Sequence, residues 1–168
     1  MLSQDSAKNC APGASPLPPP RYPRVTSQSF YLPMRDGVRL AVDVHLPAPL
    51  PEDQRVPAIL VQDRYWRAMA LRAPLKWLVQ AEDLNFDYRS YRPFIVRQGF
   101  ALVHIDVRGT GASFGSWPYP WHPETLQDSY EVVEWIVSQP WSNGCVGGCG
   151  ISTWVLPLSF WRPAVTRR

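Results

Sequence analysis

The chain has 168 residues, of which 45% are hydrophobic and 18% are charged, and its formal net charge is +3. This composition is typical of a globular protein and excludes a chain that is disordered throughout. Because acidic and basic residues are interspersed, there is no basic patch for nucleic acid or an anionic membrane, and we predict neither as a partner. No segment is apolar and long enough for a membrane span or a secretory signal, so we expect a cytoplasmic protein.

The N-terminal segment, residues 1–24, is rich in proline, serine and small residues and contains the run Ala14 to Pro20. Such segments favour extended, solvated chain, because they carry too little apolar surface to offset the entropy lost on folding. We therefore predict a Pro-rich disordered leader over residues 1–24, with the folded domain over residues 25–152.

Four segments predict strands. Gln28 to Met34 and Val38 to Leu46 alternate apolar and polar residues around an Asp-Gly turn at residues 36–37, which indicates an antiparallel edge hairpin. Val56 to Val61 and Phe100 to Val107 are short apolar runs of the kind that form buried central strands.

Helices are predicted between and after these strands, around Leu75 to Ala81, over Arg92 to Gly99 and from Pro123 to Gln139. The last of these is the clearest, with an apolar stripe formed by Leu126, Tyr130, Val133, Ile136 and Val137. Because strands then alternate with helices, the sequence predicts an α/β fold with a mostly parallel sheet.

The stretch from Gly144 to Ser152 is rich in glycine and ends in Gly150-Ile151-Ser152. It predicts a buried strand of the parallel sheet and then a sharp turn that lifts the Ser152 hydroxyl above the sheet edge as a nucleophile. Cys145 and Cys149 would point to the same face of this strand, where we expect them to be small buried side chains. No cysteine spacing in the chain suits zinc.

His45 falls on the polar side of its strand, so we interpret it as a solvated or structural residue. His104 and Asp106 lie two apart on one strand, but a histidine in mid-strand is held inside the sheet rather than above the serine, where a triad needs it. The glycine-rich stretch from Arg108 to Gly115 has neither the lysine nor the glycine spacing of a phosphate-binding loop.

Together with Asp106-Val-Arg-Gly-Thr-Gly-Ala-Ser and Met34-Arg-Asp-Gly-Val-Arg-Leu, the serine segment resembles the X-Pro dipeptidyl-peptidase-like, cocaine-esterase-type (CocE/NonD) branch of the α/β-hydrolases. The resemblance covers about Ser29 to Ser152. It implies an incomplete α/β-hydrolase fold, the N-terminal half of the sheet, ending just after the nucleophile strand. It also implies that the glycine-rich stretch after Asp106 is structural.

For the site, the resemblance implies three residues. Ser152 would be the nucleophile, and the oxyanion hole would use the phenolic hydroxyl of Tyr65 and the backbone N–H of Thr153. The expected activity is hydrolysis of an ester, an amide or an X-Pro peptide through an acyl-enzyme, with a small molecule or peptide as substrate and without cofactor or metal. The lead-in Asp63-Arg64 differs from the Thr-Pro that commonly precedes the tyrosine in the family.

The match breaks directly after the serine. Thr153-Trp154-Val155 stands where the family has Tyr-x-Gly, and Pro157 lies in the first turns of the helix that should follow. The resemblance places the triad Asp and His later in the chain than the serine, yet the 16 residues from Thr153 to Arg168 contain no Asp, Glu or His. We therefore expect an aberrant tail over residues 153–168 and a chain that is truncated and inactive.

A change of reading frame accounts for the tail. With one T restored before the Thr153 codon, the codons of Thr153-Trp154-Val155 regroup as TAC-NTG-GGT, which encodes the family's Tyr-x-Gly. The alternatives are a pseudogene-type remnant without activity or a binding module built on half a sheet.

Overall fold

The computed structural model describes residues 18–64, 88–120 and 122–149. The strands are β1 Arg24–Pro33, β2 Arg39–Ala48, β3 Val56–Asp63, β4 Ala101–Asp106 and β5 Ser142–Cys149, and the helices are α1 Tyr88–Arg97 and α2 Pro123–Ser138. The strands form one sheet in the order β1-β2-β4-β3-β5. The helix predicted around Leu75 lies outside the described residues.

The N-terminal hairpin is the antiparallel edge that the sequence predicts. β1 pairs with β2 over their whole lengths, with Leu32 opposite Leu40. The turn is closed by the N–H of Met34, which donates to the carbonyl of Val38 over 2.8 Å, and Gly37 takes φ +80°, a left-handed conformation that favours glycine. β1 begins at Arg24, earlier than predicted, because β2 extends to Ala48 and offers a partner that far.

The other strands make the sheet mixed. β2 pairs antiparallel with β4, whereas β4 and β3 are parallel, as are β3 and β5. This is the predicted fold class, an α/β-hydrolase sheet in part, with a parallel body and an antiparallel edge hairpin. The core lies between the sheet and α2 and includes Val42, Leu60, Val103, Val132 and Ile136, all at most 2% exposed.

The prediction that β5 is buried is wrong. Only Ser142 of this strand is buried, and Cys145 and Cys149 are exposed free thiols rather than buried side chains. The reason is that β5 is an edge strand of the described sheet, paired there with β3 alone, and its glycines at 147 and 148 present no side chain for the core.

The apolar stripe predicted on α2 is only partly correct. Ile136 is fully buried, but Tyr130 is 48% exposed. The buried residues of the helix are Thr125, Asp128, Ser129, Val132 and Ile136. Two polar residues lie inward because they have buried polar partners: Asp128 binds Arg108, and Ser129 binds Gln62.

Candidate active site

The parallel strands bring their carboxyl ends to one edge of the sheet. Val61 of β3 lies opposite Cys149 of β5, and Asp63 of β3 lies opposite Asp106 of β4. In open α/β sheets this edge is where ligands bind, because the loops that follow the strands converge there. The sheet therefore brings the carboxyl ends of β3, β4 and β5 to the same edge.

The three residues predicted for the site, Tyr65, Ser152 and Thr153, lie outside the described residues. Arg64 immediately precedes Tyr65, and Cys149 is three positions before Ser152. The structure thus describes the two neighbouring strands that lead toward the candidates, while the positions of the candidates themselves stay predictions.

Asp106, at the end of β4, holds the glycine-rich loop that follows it. Its carboxylate accepts a hydrogen bond from the N–H of Ala112 over 2.9 Å, and its carbonyl accepts one from the Ser113 hydroxyl over 2.6 Å. Gly111 takes φ +54°, and a Cβ there would lie 2.5 Å from the Asp106 carboxylate. Asp106 is therefore a structural residue of this loop, which agrees with the structural role predicted for the stretch.

Arg108 is a buried charged residue with several carboxylate partners. It is 3% exposed, and its guanidinium donates to Asp128 through Nε over 2.7 Å and through Nη2 over 2.6 Å. It also donates through Nη1 to Asp36 over 2.5 Å. These bonds tie the loop after β4 to α2 and to the β1–β2 turn. Sequence reasoning assigned no partner to any of the three residues.

The same bonds shift the pKa values of both partners. The hydrogen bonds from Arg108 lower the pKa of Asp36 to about 2, and those to Asp128 raise the pKa of Arg108 above its ordinary value. Both groups are therefore charged at neutral pH.

Arg35 extends this network over the outer face of α2. Its Nη1 donates to Asp128 over 3.0 Å and to Glu131 over 2.9 Å, and its backbone N–H donates to Glu131 over 2.9 Å. The hydrogen bond to Glu131 is the main cause that raises the pKa of Arg35. Because the turn and the helix are held by opposite charges, the hairpin is fixed relative to α2. We refer to Arg35, Asp36, Arg108, Asp128 and Glu131 as the arginine network.

A polar contact joins the end of β3 to α2 inside the protein. The Ser129 hydroxyl donates to Gln62 Oε1 over 2.9 Å, and both residues are buried. Gln62 Nε2 and Thr125 Oγ1 are buried without a hydrogen-bond partner. Sequence reasoning missed this contact, although a polar residue at the end of an apolar strand is a signal that could have indicated it.

Both histidines of the sheet contact other side chains of the scaffold. His104 is 1% exposed and its Nδ1 lies 2.9 Å from Arg92 Nη2, so it is held inside the sheet as predicted. His45 is half-buried, with Nδ1 2.7 Å from the Ser27 hydroxyl. Burial, with Arg92 nearby as a smaller cause, lowers the pKa of His45. It is a neutral structural residue at pH 7, in keeping with the sequence interpretation.

Residues 18–64, 88–120 and 122–149 contain no group of three or more His, Cys, Asp or Glu side chains arranged to hold a metal ion. Neither of the helices in these ranges has the length and hydropathy that a membrane span requires.

Known proteins resemble this chain in sequence and in fold. A family profile described as X-Pro dipeptidyl-peptidase (S15 family) matches residues 36–154. A protein named as a serine esterase in Mycobacterium bovis is 46% identical over 136 residues, which cover 79% of this chain and 22% of that protein. The cocaine esterase of a Rhodococcus species is 35% identical over 141 residues, 83% of this chain and 21% of the relative.

A solved structure is similar to this chain in fold. A CocE/NonD family hydrolase from Staphylococcus aureus superposes with a TM-score of 0.54 at 28% identity, over 71% of this chain and 21% of that one. The chain thus spans about a fifth of the length of the curated relatives it matches. The matched profile begins at Asp36 of the arginine network and reaches two residues past Ser152.

Proposed function

We propose that this chain, which belongs to the X-Pro dipeptidyl-peptidase (S15) family, carries the nucleophile-bearing part of a serine esterase whose nucleophile is Ser152. The family is one of hydrolases, esterases and peptidases, and the resemblance inferred from the sequence motifs is therefore correct. The observation that carries the proposal is the parallel pairing of β3 with β5, because these neighbouring strands run toward Tyr65 and Ser152 respectively.

The chemistry follows from these roles. The Ser152 oxygen attacks the acyl carbon, its proton passes to a base, and the resulting oxyanion accepts hydrogen bonds from the Tyr65 hydroxyl and the Thr153 N–H. Collapse of this intermediate breaks the ester bond, and the base returns the proton to the leaving alcohol. Water then hydrolyses the acyl-enzyme by the same steps. The arginine network and the loop held by Asp106 order the segment that follows β4 at this edge of the sheet.

Esters are the proposed substrate class in preference to X-Pro peptides. Support comes from the relatives named as esterases, which are 46% and 35% identical to this chain. An amide or an X-Pro peptide would need further contacts, because the amine is a poorer leaving group and must be protonated as it departs.

We further propose that a polypeptide of these 168 residues is inactive, since no Asp, Glu or His follows Ser152 in it to complete a triad. The codon regrouping at residues 153–155 supports the proposal that this segment is read out of frame. Resequencing of the gene tests it: a base missing before the Thr153 codon is expected, and an intact frame there would refute it.

Turnover of an activated aryl ester tests the function itself. The protein expressed from the frame-restored gene is expected to hydrolyse the ester, and Ser152→Ala is expected to abolish turnover. Tyr65→Phe removes one oxyanion donor and should slow turnover roughly a hundredfold. As a matched control, Tyr130→Phe removes an exposed phenol on α2 and should leave the rate unchanged. Full activity of the Ser152→Ala variant would contradict the assignment.

A further inference from the structure

Three side chains form an exposed cluster that the proposed chemistry does not use, here called the aromatic clamp: Tyr31 of β1, Arg39 of β2 and Phe114 of the loop after β4. The ring centroids of Tyr31 and Phe114 are 5.3 Å apart. The guanidinium carbon of Arg39 lies 4.5 Å from the Phe114 centroid and 5.5 Å from that of Tyr31. The two aromatic residues are 47% and 46% exposed, so about half of each remains in contact with solvent.

The backbone holds the aromatic clamp in place from both sides. The N–H of Phe114 donates to the carbonyl of Arg39 over 2.9 Å, and the N–H of Ala41 donates to the Ser113 hydroxyl over 2.8 Å. On the other side, β1 pairs with β2 through the whole hairpin. Because these contacts already order the side chains, a partner that binds here loses little further conformational entropy.

Arg39 differs from the other arginines of this region in its partners. Arg35 and Arg108 both form ion pairs with carboxylates, which are those of Asp36, Asp128 and Glu131. In the part of the chain that the structure describes, no carboxylate lies within 4.0 Å of Arg39. When a guanidinium stacks on aromatic faces, its N–H donors lie in its own plane and point away from the rings. A carboxylate can accept hydrogen bonds from two of them there.

We propose that the aromatic clamp is a docking surface for an acidic polypeptide segment. In this arrangement a Glu or Asp carboxylate accepts a bidentate pair of hydrogen bonds from Arg39, and the apolar residues beside it cover the rings of Tyr31 and Phe114. Arginine and tyrosine are enriched at the energetically dominant positions of protein interfaces for this combination of charge and apolar area. A nucleic acid or an anionic lipid surface fits less well, because each needs several cations together and the clamp has one.

Peptide titration tests the proposal. The 168-residue chain with ¹⁵N-labelled arginine is titrated with acetyl-Leu-Glu-Leu-amide while the Nε–H signals are observed by NMR. The Arg39 signal, identified by its loss in Arg39→Lys, is expected to shift to saturation. Acetyl-Leu-Gln-Leu-amide has the same shape without the charge and should bind about five-fold more weakly.

The same titration is repeated with two variants, and binding is then followed by the tryptophan or backbone amide signals of the protein. Arg39→Lys keeps the charge but loses the planar fork and should weaken binding several-fold, whereas Arg24→Lys, at an exposed position of β1, should not change it. Equal binding of the two peptides would show an apolar contact only. Equal shifts of all arginine signals would show non-specific attraction. Either result, or an unchanged Arg39 signal, overturns the proposal.

Discussion

The two ends of the described sheet are stabilised in different ways. At one end, the arginine network fixes the β1–β2 turn to α2, with Arg108 and Asp128 almost fully buried. At the other end, β5 is held mainly by main-chain pairing with β3, and nearly all of its residues are at least partly exposed. The stability of the first region therefore depends on a few charged side chains, whereas that of the second depends on backbone hydrogen bonds that most substitutions leave intact.

Removal of the Arg108 side chain should have the largest effect. Among the described residues, Arg108→Ala leaves the buried Asp128 carboxylate with only the hydrogen bond from Arg35. We expect a loss of about 3 kcal/mol in the free energy of unfolding, the low end for a broken buried pair. Cys145→Ser on the exposed β5 strand should change it by less than about 0.5 kcal/mol. Urea unfolding of both variants measures the difference, and equal effects would contradict the comparison.

A pair of glycine substitutions makes the next contrast. Gly111→Ala forces a side chain into a left-handed conformation and against the Asp106 carboxylate, and should destabilise the fold by about 2 kcal/mol. Gly147→Ala on β5 meets nothing closer than the Ala58 carbonyl oxygen at 4.0 Å, so it should be neutral within about 0.5 kcal/mol. Thermal unfolding of the two variants tests this contrast, and a neutral Gly111→Ala would show that the loop tolerates a Cβ.

The smallest expected effect is the acid sensitivity of the network. Asp36 has a folded pKa of about 2, below the unfolded value of about 4. Its charge therefore stabilises the fold above pH 4, and this contribution disappears as the pH falls through about 2. Because its side chain is 37% exposed, added salt should weaken the effect. The free energy of unfolding of Asp36→Asn should lose this part of its pH dependence, and an unchanged profile would contradict the assignment.

The elements were predictable from the sequence, because strand alternation and the Asp-Gly turn are local signals. The burial of Asp128 and Ser129 was not predictable, because a helix pattern treats polar residues as exposed. Their partners, Arg108 and Gln62, also lie 20 and 67 residues away in the chain. The exposure of Cys149 was missed for a similar reason: a glycine-rich apolar run does not reveal whether its strand lies at an edge. The glycine-rich stretch that ends at Ser152 indicated the candidate nucleophile, and the family motifs supported this interpretation.

The proposed role of Ser152 is tested by labelling with a fluorophosphonate probe, because such a probe reacts with an activated serine and not with an ordinary hydroxyl. We expect one label per chain at Ser152 in the frame-restored protein, located by peptide mass spectrometry, and none in its Ser152→Ala variant. We also expect none in the 168-residue polypeptide, in which no Asp, Glu or His follows Ser152. Stoichiometric labelling of the 168-residue polypeptide, or labelling of the restored protein at another serine, would contradict it.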